Sequence, residues 1–382
     1  MKKNTFYFIF SILSFLTISY SCNEDDIEIP VNLIDNNIPN SRSFYMGFTA
    51  FPYELSAEAL NQSYDYQAQN GDILLTHFDN GVPWNEALND LPFPNEIQSD
   101  INGAIATATP NHKVVLTATA TNTNRDGLAN YWNSSGTHQP LPAPWDSYSF
   151  NNPNVITAYI KYCKRIIDAI QPDYFAYGIE MNSTFLENTE AFNNYLILAD
   201  KVYNTLKQGY PDLPIFLTFQ DQAFDKTKSE LHHLTQTLLE YSDIIAVSTY
   251  PFWQFEYPTR DANPMLFSNN WLKEMRDLAP DKPFAISETG FCAEDLQLDE
   301  LGVNIAGTET WQAQYVQKLC AEANKLDAEF VLWFVYRDYD LLYETIPSTL
   351  LKIWRDNGML DGNGNRRTSH DIWDSWKNLP IN

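Results

Sequence analysis

Residues 154–179 read NVITAYIKYCKRIIDAIQPDYFAYGI, an amphipathic segment followed at once by a short apolar one. In the first part, isoleucine and cysteine side chains recur at steps of four and three residues from Ile156 to Ile170, which predicts the apolar stripe of a helix. In the second part, Asp173–Ile179, apolar residues run almost without interruption, as in a parallel strand that is buried on both faces. This alternation of helix and buried strand decides the fold class.

The same kind of apolar run occurs eight times along the chain, and amphipathic segments separate the runs. Eight buried strands that alternate with helices favour a single (β/α)8 barrel, an α/β fold, over a doubly wound sheet. No GxGxxG or GK[ST] phosphate-binding loop follows any run. The predicted strands are Phe44–Thr49, Asp72–Phe78, Lys113–Ala118, Asp173–Ile179, Ile215–Phe219, Ile244–Thr249, Pro283–Ser287 and Phe330–Phe334.

The chain is strongly acidic, and this restricts its partners. It has 382 residues and a formal net charge of −25, and no long lysine or arginine run interrupts the acidity. Nucleic acids and anionic lipid surfaces are bound by clustered cations, so we expect no nucleic acid as partner. Polyanionic substrates are disfavoured for the same reason, and a neutral or cationic partner fits better.

The first 22 residues have the pattern of an export signal. Two lysines precede an apolar stretch from Phe6 to Ile18, and small residues lead to Cys22. The pattern resembles a bacterial lipoprotein signal, in which the cysteine is lipidated, and the acidic run Glu24–Asp26 resembles the export tag of surface lipoproteins. We therefore predict a signal peptide at 1–21, a tether at 22–41 and the barrel at 42–382. The protein would be lipid-anchored to the outer membrane through Cys22, exposed at the cell surface and otherwise free of the membrane.

The remaining cysteines and the histidines do not predict a metal site. Cys163, Cys292 and Cys320 are odd in number and have no CxxC spacing, so neither a disulfide framework nor a zinc ribbon is indicated. The chain also has no HxH, HExxH or Asp-rich loop. We expect no metal and no cofactor.

Two glutamates follow buried strands at positions where barrel enzymes carry their chemistry. Glu180 comes after the fourth predicted strand and Glu288 after the seventh, so both belong to the C-terminal rim of the barrel. A carboxylic acid near a carboxylate is the apparatus of glycoside hydrolysis, and like-charge proximity helps to keep one of the two protonated. Either glutamate alone could be an ordinary rim residue of an acidic protein. Their joint placement predicts an active site.

At these residues the chain from Arg42 to Asn382 resembles the clan A glycoside hydrolases, whose (β/α)8 barrels carry an acid/base glutamate after strand four and a nucleophile after strand seven. The resemblance implies a retaining mechanism with Glu180 as acid/base and Glu288 as nucleophile. Tyr250 matches an aromatic hydroxyl that hydrogen-bonds the nucleophile, and Trp333 matches the platform under the reacting sugar. The sequence departs from the pattern before Glu180, where many members have asparagine. Here that position is Ile179, and Asn182 follows two residues after the glutamate.

Polar and aromatic residues after the other strands suit a sugar, which offers hydroxyl groups and apolar C–H faces. The predicted function is hydrolysis of a neutral polysaccharide, such as a β-galactan, β-glucan or β-mannan, by an endo-acting monomer. Two alternatives stay open: a catalytically silent glycan-binding surface lipoprotein on the same barrel, and a metal-dependent barrel hydrolase, for which ligand motifs are lacking. The predicted substrate-binding residues are His77, Trp84, Asn182, Gln220, Tyr250, Trp253, Trp333 and Asp338.

Overall fold

The computed structural model describes residues 38–108, 111–221, 225–253 and 261–382. Eight parallel strands form one sheet that curls into a barrel, and each predicted apolar run overlaps one of them. The prediction of a single (β/α)8 barrel is therefore confirmed. The strands are β1 (Tyr45–Phe48), β2 (Ile73–Phe78), β3 (Lys113–Ala118), β4 (Tyr174–Ala176), β5 (Ile215–Gln220), β6 (Ile245–Thr249), β7 (Phe284–Thr289) and β8 (Ala328–Trp333).

Consecutive strands are neighbours around the barrel, in the order β1-β8-β7-β6-β5-β4-β3-β2. All paired strands run parallel. Where the ring closes, the Asp72 N–H donates to the Met46 carbonyl at 2.8 Å. A Cβ on Gly47 would lie only 2.3 Å from the Ile73 carbonyl oxygen, so a glycine is needed for β1 and β2 to approach this closely. The carboxyl ends of all eight strands consequently share one rim.

Helices connect the strands and cover the outside of the barrel. Several begin at a residue whose side chain accepts a backbone N–H, such as Ser56, Asn188 and Thr308. In the described part of the chain they are α1 (Ala57–Asn70), α2 (Trp84–Leu88), α3 (Asn95–Thr107), α4 (Pro153–Ile170), α5 (Thr189–Gly209), α6 (Asp225–Leu238), α7 (Lys273–Arg276), α8 (Glu309–Lys325), α9 (Asp340–Thr345), α10 (Thr349–Trp354) and α11 (Thr368–Lys377).

The buried side of α4 differs slightly from the predicted stripe. Ile156 and Ile160 are only partly buried, whereas Tyr159 and Tyr162 are fully buried between the helix and the barrel. The Tyr159 hydroxyl donates to the Tyr177 carbonyl at 2.8 Å, which satisfies its polar atom inside the core. The inward side of the helix therefore includes tyrosines as well as the later isoleucines, and only Ile156 and Ile160 lie at the edge of the contact.

The first described strand is preceded by a segment that meets the end of the chain. The Arg42 N–H donates to the Pro380 carbonyl at 3.0 Å, and the Asn382 N–H donates to the Arg42 carbonyl at 2.9 Å. The predicted signal peptide and Cys22 lie outside the described residues, as does the predicted tether up to residue 37. Within the described ranges, none of the helices has the length and apolarity that crossing a membrane requires.

The loop after β3 is the longest connection at the C-terminal rim. It contains a short hairpin, Tyr131–Asn133 and Gly136–Gln139, whose first strand bridges to Val82 in the loop after β2. The His138 N–H also donates to the Asn80 carbonyl at 3.0 Å. The loops after β2 and β3 thus form one joined unit on the rim.

Candidate active site

Glu180 follows β4 in an unusual backbone conformation. Its φ is 53°, in the left-handed region that non-glycine residues rarely occupy. The Glu180 N–H donates to Thr218 Oγ1 of β5 at 2.8 Å, and its carbonyl accepts from the Ser183 N–H at 3.2 Å and from the Ser183 hydroxyl at 3.0 Å. Backbone strain that the surroundings hold in place is typical of functional positions.

A glycine lies within two residues of each glutamate, at a point where the chain passes tightly against its neighbours. A Cβ on Gly178 would lie 2.6 Å from the Tyr195 hydroxyl oxygen. A Cβ on Gly290 would lie 2.4 Å from the Phe334 carbonyl oxygen and 2.7 Å from Nδ2 of Asn357. Neither position has room for a side chain, so the backbone on which each glutamate depends is fixed by packing.

Glu288 lies near the end of β7 and is joined to the residue after β6. The strand register places Ser248 of β6 opposite Glu288, and the Tyr250 hydroxyl donates a short hydrogen bond to Glu288 Oε1. Ser248 also hydrogen-bonds the Glu180 side chain and lowers the pKa of that carboxyl. The two glutamates, which are 108 positions apart in the sequence, are therefore both neighbours of Ser248.

Burial and neighbouring charges shift the pKa values of both carboxyl groups. Burial raises the pKa of Glu180, and burial together with the charge of Glu180 raises the pKa of Glu288. The Tyr250 hydrogen bond and the charge of Arg125 lower the pKa of Glu288 again. Since the second ionisation must overcome the charge left by the first, the pair holds one proton over a wide pH range.

A third carboxyl, that of Asp221, lies at the same rim after β5. The Asp221 N–H donates to the Ser248 carbonyl at 3.2 Å. Burial raises the pKa of Asp221 to about 7, and the charge of Glu180 adds to this, while a hydrogen bond with Thr249 lowers it. Its Oδ1 is buried without a hydrogen-bond partner, which disfavours the ionised form. Asp221 was not among the predicted site residues, because nothing in the sequence distinguishes it from its neighbour Gln220 as a functional residue.

An ion pair between two loops completes the charged groups of the site. Arg125, in the loop after β3, binds Asp79, directly after β2, through two hydrogen bonds of 3.2 and 3.4 Å. Arg125 lowers the pKa of both Glu180 and Glu288, and Asp79 raises both. Arg125 was not among the predicted site residues, because nothing in the sequence of a long loop shows which side chain turns inward.

Three of the predicted sugar-binding residues are partly exposed at the rim: His77, Gln220 and Trp253. Burial of the His77 ring lowers its pKa to about 4, so the ring is neutral, and its Nδ1 forms a hydrogen bond of 2.8 Å with Thr117 Oγ1. The His77 ring packs edge-on against Phe51, with 5.3 Å between ring centroids. These residues keep the exposure that a sugar contact needs.

The predicted sugar contacts of Trp84 and Trp333 are corrected, because both indoles are fully buried. Trp84 stacks on Trp145 at 5.3 Å between ring centroids and donates its indole N–H to the Ala129 carbonyl at 2.8 Å. Trp333 donates its indole N–H to the Asn357 carbonyl at 2.9 Å. Both side chains pack in the core, so neither has a free face for a sugar ring.

Phe334, the residue directly after β8, lies beside Tyr250 and, like Trp333, is fully buried. Its ring centroid lies 6.2 Å from that of Tyr250 and 5.4 Å from that of Phe51. Successive side chains of a strand point to opposite faces, so an error of one position changes which ring faces the site. Trp333 instead packs against Tyr315 on the helix side, at 6.0 Å.

Asn182 and Asp338 are likewise buried and have structural partners. Asn182 Nδ2 donates to the Gln220 carbonyl at 2.7 Å and Asn182 Oδ1 accepts the Gln220 N–H at 2.8 Å, so the amide fastens the end of β4 to β5. Asp338 binds Arg367 at 2.5 Å, and not its sequence neighbour Arg337. Their predicted roles in substrate binding are corrected to roles in holding the rim.

One group of carboxylates in the described ranges is compact enough to hold a cation: Glu294, Asp338 and Asp356. Arg367 already forms ion pairs with Glu294 at 2.9 Å and with Asp338 at 2.5 Å, and Arg355 binds Asp356 at 2.7 Å. The positive charge in this group therefore comes from the protein's own arginines. The three cysteines Cys163, Cys292 and Cys320 are buried and unpaired.

Comparison with known proteins supports the fold. No family model and no curated protein sequence matches the chain. Among solved structures, GH5_18 from Streptomyces cattleya in complex with Manb1-4GlcNAc is similar with a TM-score of 0.61 and 12% identity, over 88% of this chain and 82% of that one. The exo-beta-1,4-mannosidase Op5Man5 from Opitutaceae bacterium strain TAV5 has a TM-score of 0.60 and 12% identity, over 88% and 59%. The Ignisphaera aggregans GH53 catalytic domain has a TM-score of 0.53 and 15% identity, over 93% and 99%.

Proposed function

We propose that the chain is a retaining β-glycoside hydrolase with Glu180 as acid/base and Glu288 as nucleophile. Its barrel fold is that of the clan A glycoside hydrolases, and the solved structures named above as similar to it are glycoside hydrolases. The observation that carries this proposal is the placement of the two glutamates, one after β4 and one in β7, next to Ser248 of β6, with the Tyr250 hydroxyl bound to Glu288.

The Tyr250 contact supports this division of roles. The Tyr250 hydroxyl donates to Glu288 and favours its ionised form, against the burial and the charge of Glu180 that raise the pKa of Glu288. In the proposed cycle Glu180 gives a proton to the glycosidic oxygen while Glu288 attacks the anomeric carbon and forms a glycosyl ester. Water then breaks the ester, with Glu180 acting as general base. The cycle therefore needs Glu180 protonated and Glu288 ionised at its start.

For the substrate we propose a neutral β-linked polysaccharide that the enzyme cuts internally. The net charge of −25 disfavours polyanions, and the long loop after β3 offers a wall along which several sugar units could lie. Among β-mannan, β-galactan and β-glucan, mannosides are the first to test, because two of the similar structures carry a mannosidic ligand or a mannosidase name. An oligosaccharide of the same sugar is the expected small substrate.

The test is hydrolysis of a panel of polysaccharides and aryl β-glycosides by the wild type, Glu288→Gln, Glu180→Gln and the exposed control Glu190→Gln. We expect loss of activity in the first two variants only. Product sizing distinguishes internal cleavage from release of terminal sugars, and NMR of the first product shows whether the β-configuration is retained. Binding of a glycan without any cleavage, equal in wild type and Glu288→Gln, would establish the silent glycan-binding alternative.

We further propose that the protein is exported and anchored to the outer membrane by lipid on Cys22, facing outward. The support is the sequence of residues 1–26 alone. Metabolic labelling with palmitate in a Gram-negative host should label the wild type and not Cys22→Ala, which should leave the membrane fraction. Protease treatment of intact cells should remove the wild-type protein. An unlabelled wild-type protein would exclude the anchor.

A further inference from the structure

We propose that the ion pair of Asp79 and Arg125, which the mechanism above does not use, is an electrostatic positioning element of the active site. Asp79 holds the guanidinium in place, and the positive charge of Arg125, which Asp79 partly offsets, acts on both Glu180 and Glu288. This inference rests on the proposed glycosidase function, and it assigns a role to two residues that contact neither the reacting bond nor the glutamates through a hydrogen bond.

The pair is built with a defined geometry. Two hydrogen bonds of 3.2 and 3.4 Å join the guanidinium fork to the two carboxylate oxygens, and Thr121 Oγ1 accepts a third at 3.2 Å. The side chains are 11% and 21% exposed for Arg125 and Asp79. A bidentate pair with this little exposure has a fixed orientation and is weakly screened by salt. Its charges therefore act on the rim from constant positions.

The loop around Arg125 is folded to turn this residue back toward the barrel. Arg125 has a φ of 59°, and its N–H donates to the Asn122 carbonyl at 3.0 Å. The Asn122 N–H donates to the Gly127 carbonyl at 3.0 Å, and the side chain of Asn122 bonds both the backbone and the carboxylate of Asp126. A residue at the tip of so tight a turn would normally point to solvent. Arg125 instead has a strained backbone and a largely buried guanidinium group.

The pair lies on the same rim as the glutamates. His77, two residues before Asp79, packs against Phe51, and Phe51 packs against Phe334, whose ring lies beside that of Tyr250. Arg125 favours the ionised form of both glutamates and also acts on Tyr195, whose hydroxyl packs against Gly178, two residues before Glu180. The charge of Asp79 raises the pKa of His77, and the charge of Arg125 lowers it. The charged and titratable groups that act on Glu288 or are acted on by it are Glu180, Tyr250, Arg125, Asp79 and Tyr339. The charge of Arg125 acts on Asp79, His77, Glu180, Glu288 and Tyr195.

The two members of the pair should have opposite effects on the pH dependence. In Arg125→Met, Asp79 remains as an uncompensated negative charge beside two carboxyls, so Glu288 ionises at higher pH. In Asp79→Asn, the positive charge of Arg125 is no longer offset, so Glu288 ionises at lower pH. The acidic limb of kcat/KM should move up by about one pH unit in the first variant and down in the second. A merely structural role would not produce shifts of opposite sign.

The experiment is a set of pH profiles of kcat/KM on the best aryl glycoside found for the wild type. Arg125→Lys should restore much of the acidic limb lost in Arg125→Met, and the double variant with Asp79→Asn should lie between the single ones. Arg366→Met is the matched control, since this arginine forms surface ion pairs with Asp371 and Asp374 and its loss should leave the profile unchanged. Shifts of the same sign in both single variants, or no shift, would overturn the proposal.

A second measurement separates this inference from the proposed function. Glutamate side chains labelled with ¹³C are titrated by NMR, and the Glu288 signal is assigned by its absence in Glu288→Gln. The pKa of Glu288 should rise in Arg125→Met whether or not any glycoside is cleaved. An active enzyme with an unmoved Glu288 titration would refute the inference alone, and a moved titration in an inactive protein would refute the glycosidase proposal alone.

Discussion

Tyr250→Phe isolates one hydrogen bond at the proposed nucleophile. The substitution removes the hydroxyl that donates to Glu288 Oε1 and keeps the ring. The ring is held by packing that does not involve the hydroxyl, with centroids 4.3 Å from Trp354 and 6.2 Å from Phe334. The variant should therefore fold with the wild-type backbone, and its effect should be confined to the carboxylate.

The magnitude follows from the charge of the acceptor. A hydrogen bond to an ionised group contributes about 1.5–3 kcal/mol, and loss of this stabilisation raises the pKa of Glu288 by about 1–2 units. Below the raised pKa, where most molecules carry a protonated Glu288, kcat/KM should fall by about 10- to 150-fold. The sign is fixed by the mechanism, because the nucleophile must be ionised. The loss is therefore greatest on the acidic side and diminishes as the pH rises.

The assay is the pH profile of kcat/KM on an aryl glycoside, together with urea unfolding of each variant. Tyr159→Phe is the matched control, since it removes a buried hydroxyl whose acceptor is the neutral Tyr177 carbonyl. It should lose about 1 kcal/mol of unfolding free energy and leave the pH profile unchanged. A folded Tyr250→Phe variant with an unmoved acidic limb and nearly wild-type kcat/KM would refute the assignment of Glu288 as an ionised nucleophile.

Three further variants, with one control, test the packing and charges of the rim. Gly290→Ala places a Cβ 2.4 Å from a backbone carbonyl and should lower the unfolding free energy by about 1–3 kcal/mol in urea, whereas Gly103→Ala, with open space around it in a helix, should raise it by about 0.5–1 kcal/mol. Arg367→Met leaves the buried Asp338 carboxylate unpaired and should cost about 3–5 kcal/mol by the same measurement. The charge of Glu180 raises the pKa of Asp221, and because this interaction is mutual, an ionised Asp221 disfavours ionisation of Glu180. In Asp221→Asn the basic limb of kcat/KM should therefore move to lower pH. An unmoved basic limb would show that Asp221 does not act on the acid/base.

The fold could be predicted from sequence because its main determinant is local. Each buried strand is largely a run of apolar residues, and each predicted run overlaps one barrel strand. The placement of Glu180 and Glu288 followed from the same pattern, since a residue after a parallel strand lies on the C-terminal rim whatever the details of packing. No knowledge of side-chain contacts was needed for either conclusion.

Side-chain direction could not be predicted in the same way. Trp84 and Trp333 follow or end predicted strands, as a rim residue would, yet each points into the core. A shift of one position along a strand moves a side chain to the opposite face. Aromatic residues are also equally suited to a core and to a sugar platform. The pairing of Asp79 with Arg125 spans two loops, and its existence depends on how those loops fold over each other.

Three neighbouring carboxyl groups at the rim must be held in different protonation states. Three carboxyls, Glu180, Glu288 and Asp221, lie around β6, and burial raises the pKa of each. A retaining mechanism needs one of them ionised and another protonated at the same pH. The Tyr250 hydroxyl and the charge of Arg125 favour the ionised form of Glu288, while burial and the charge of Glu180 favour its protonated form. At Glu180, burial favours the protonated form, and Arg125 and Ser248 favour the ionised form. The division of one proton between the glutamates is thus a property of the whole rim, and single-residue variants should alter it in the directions stated above.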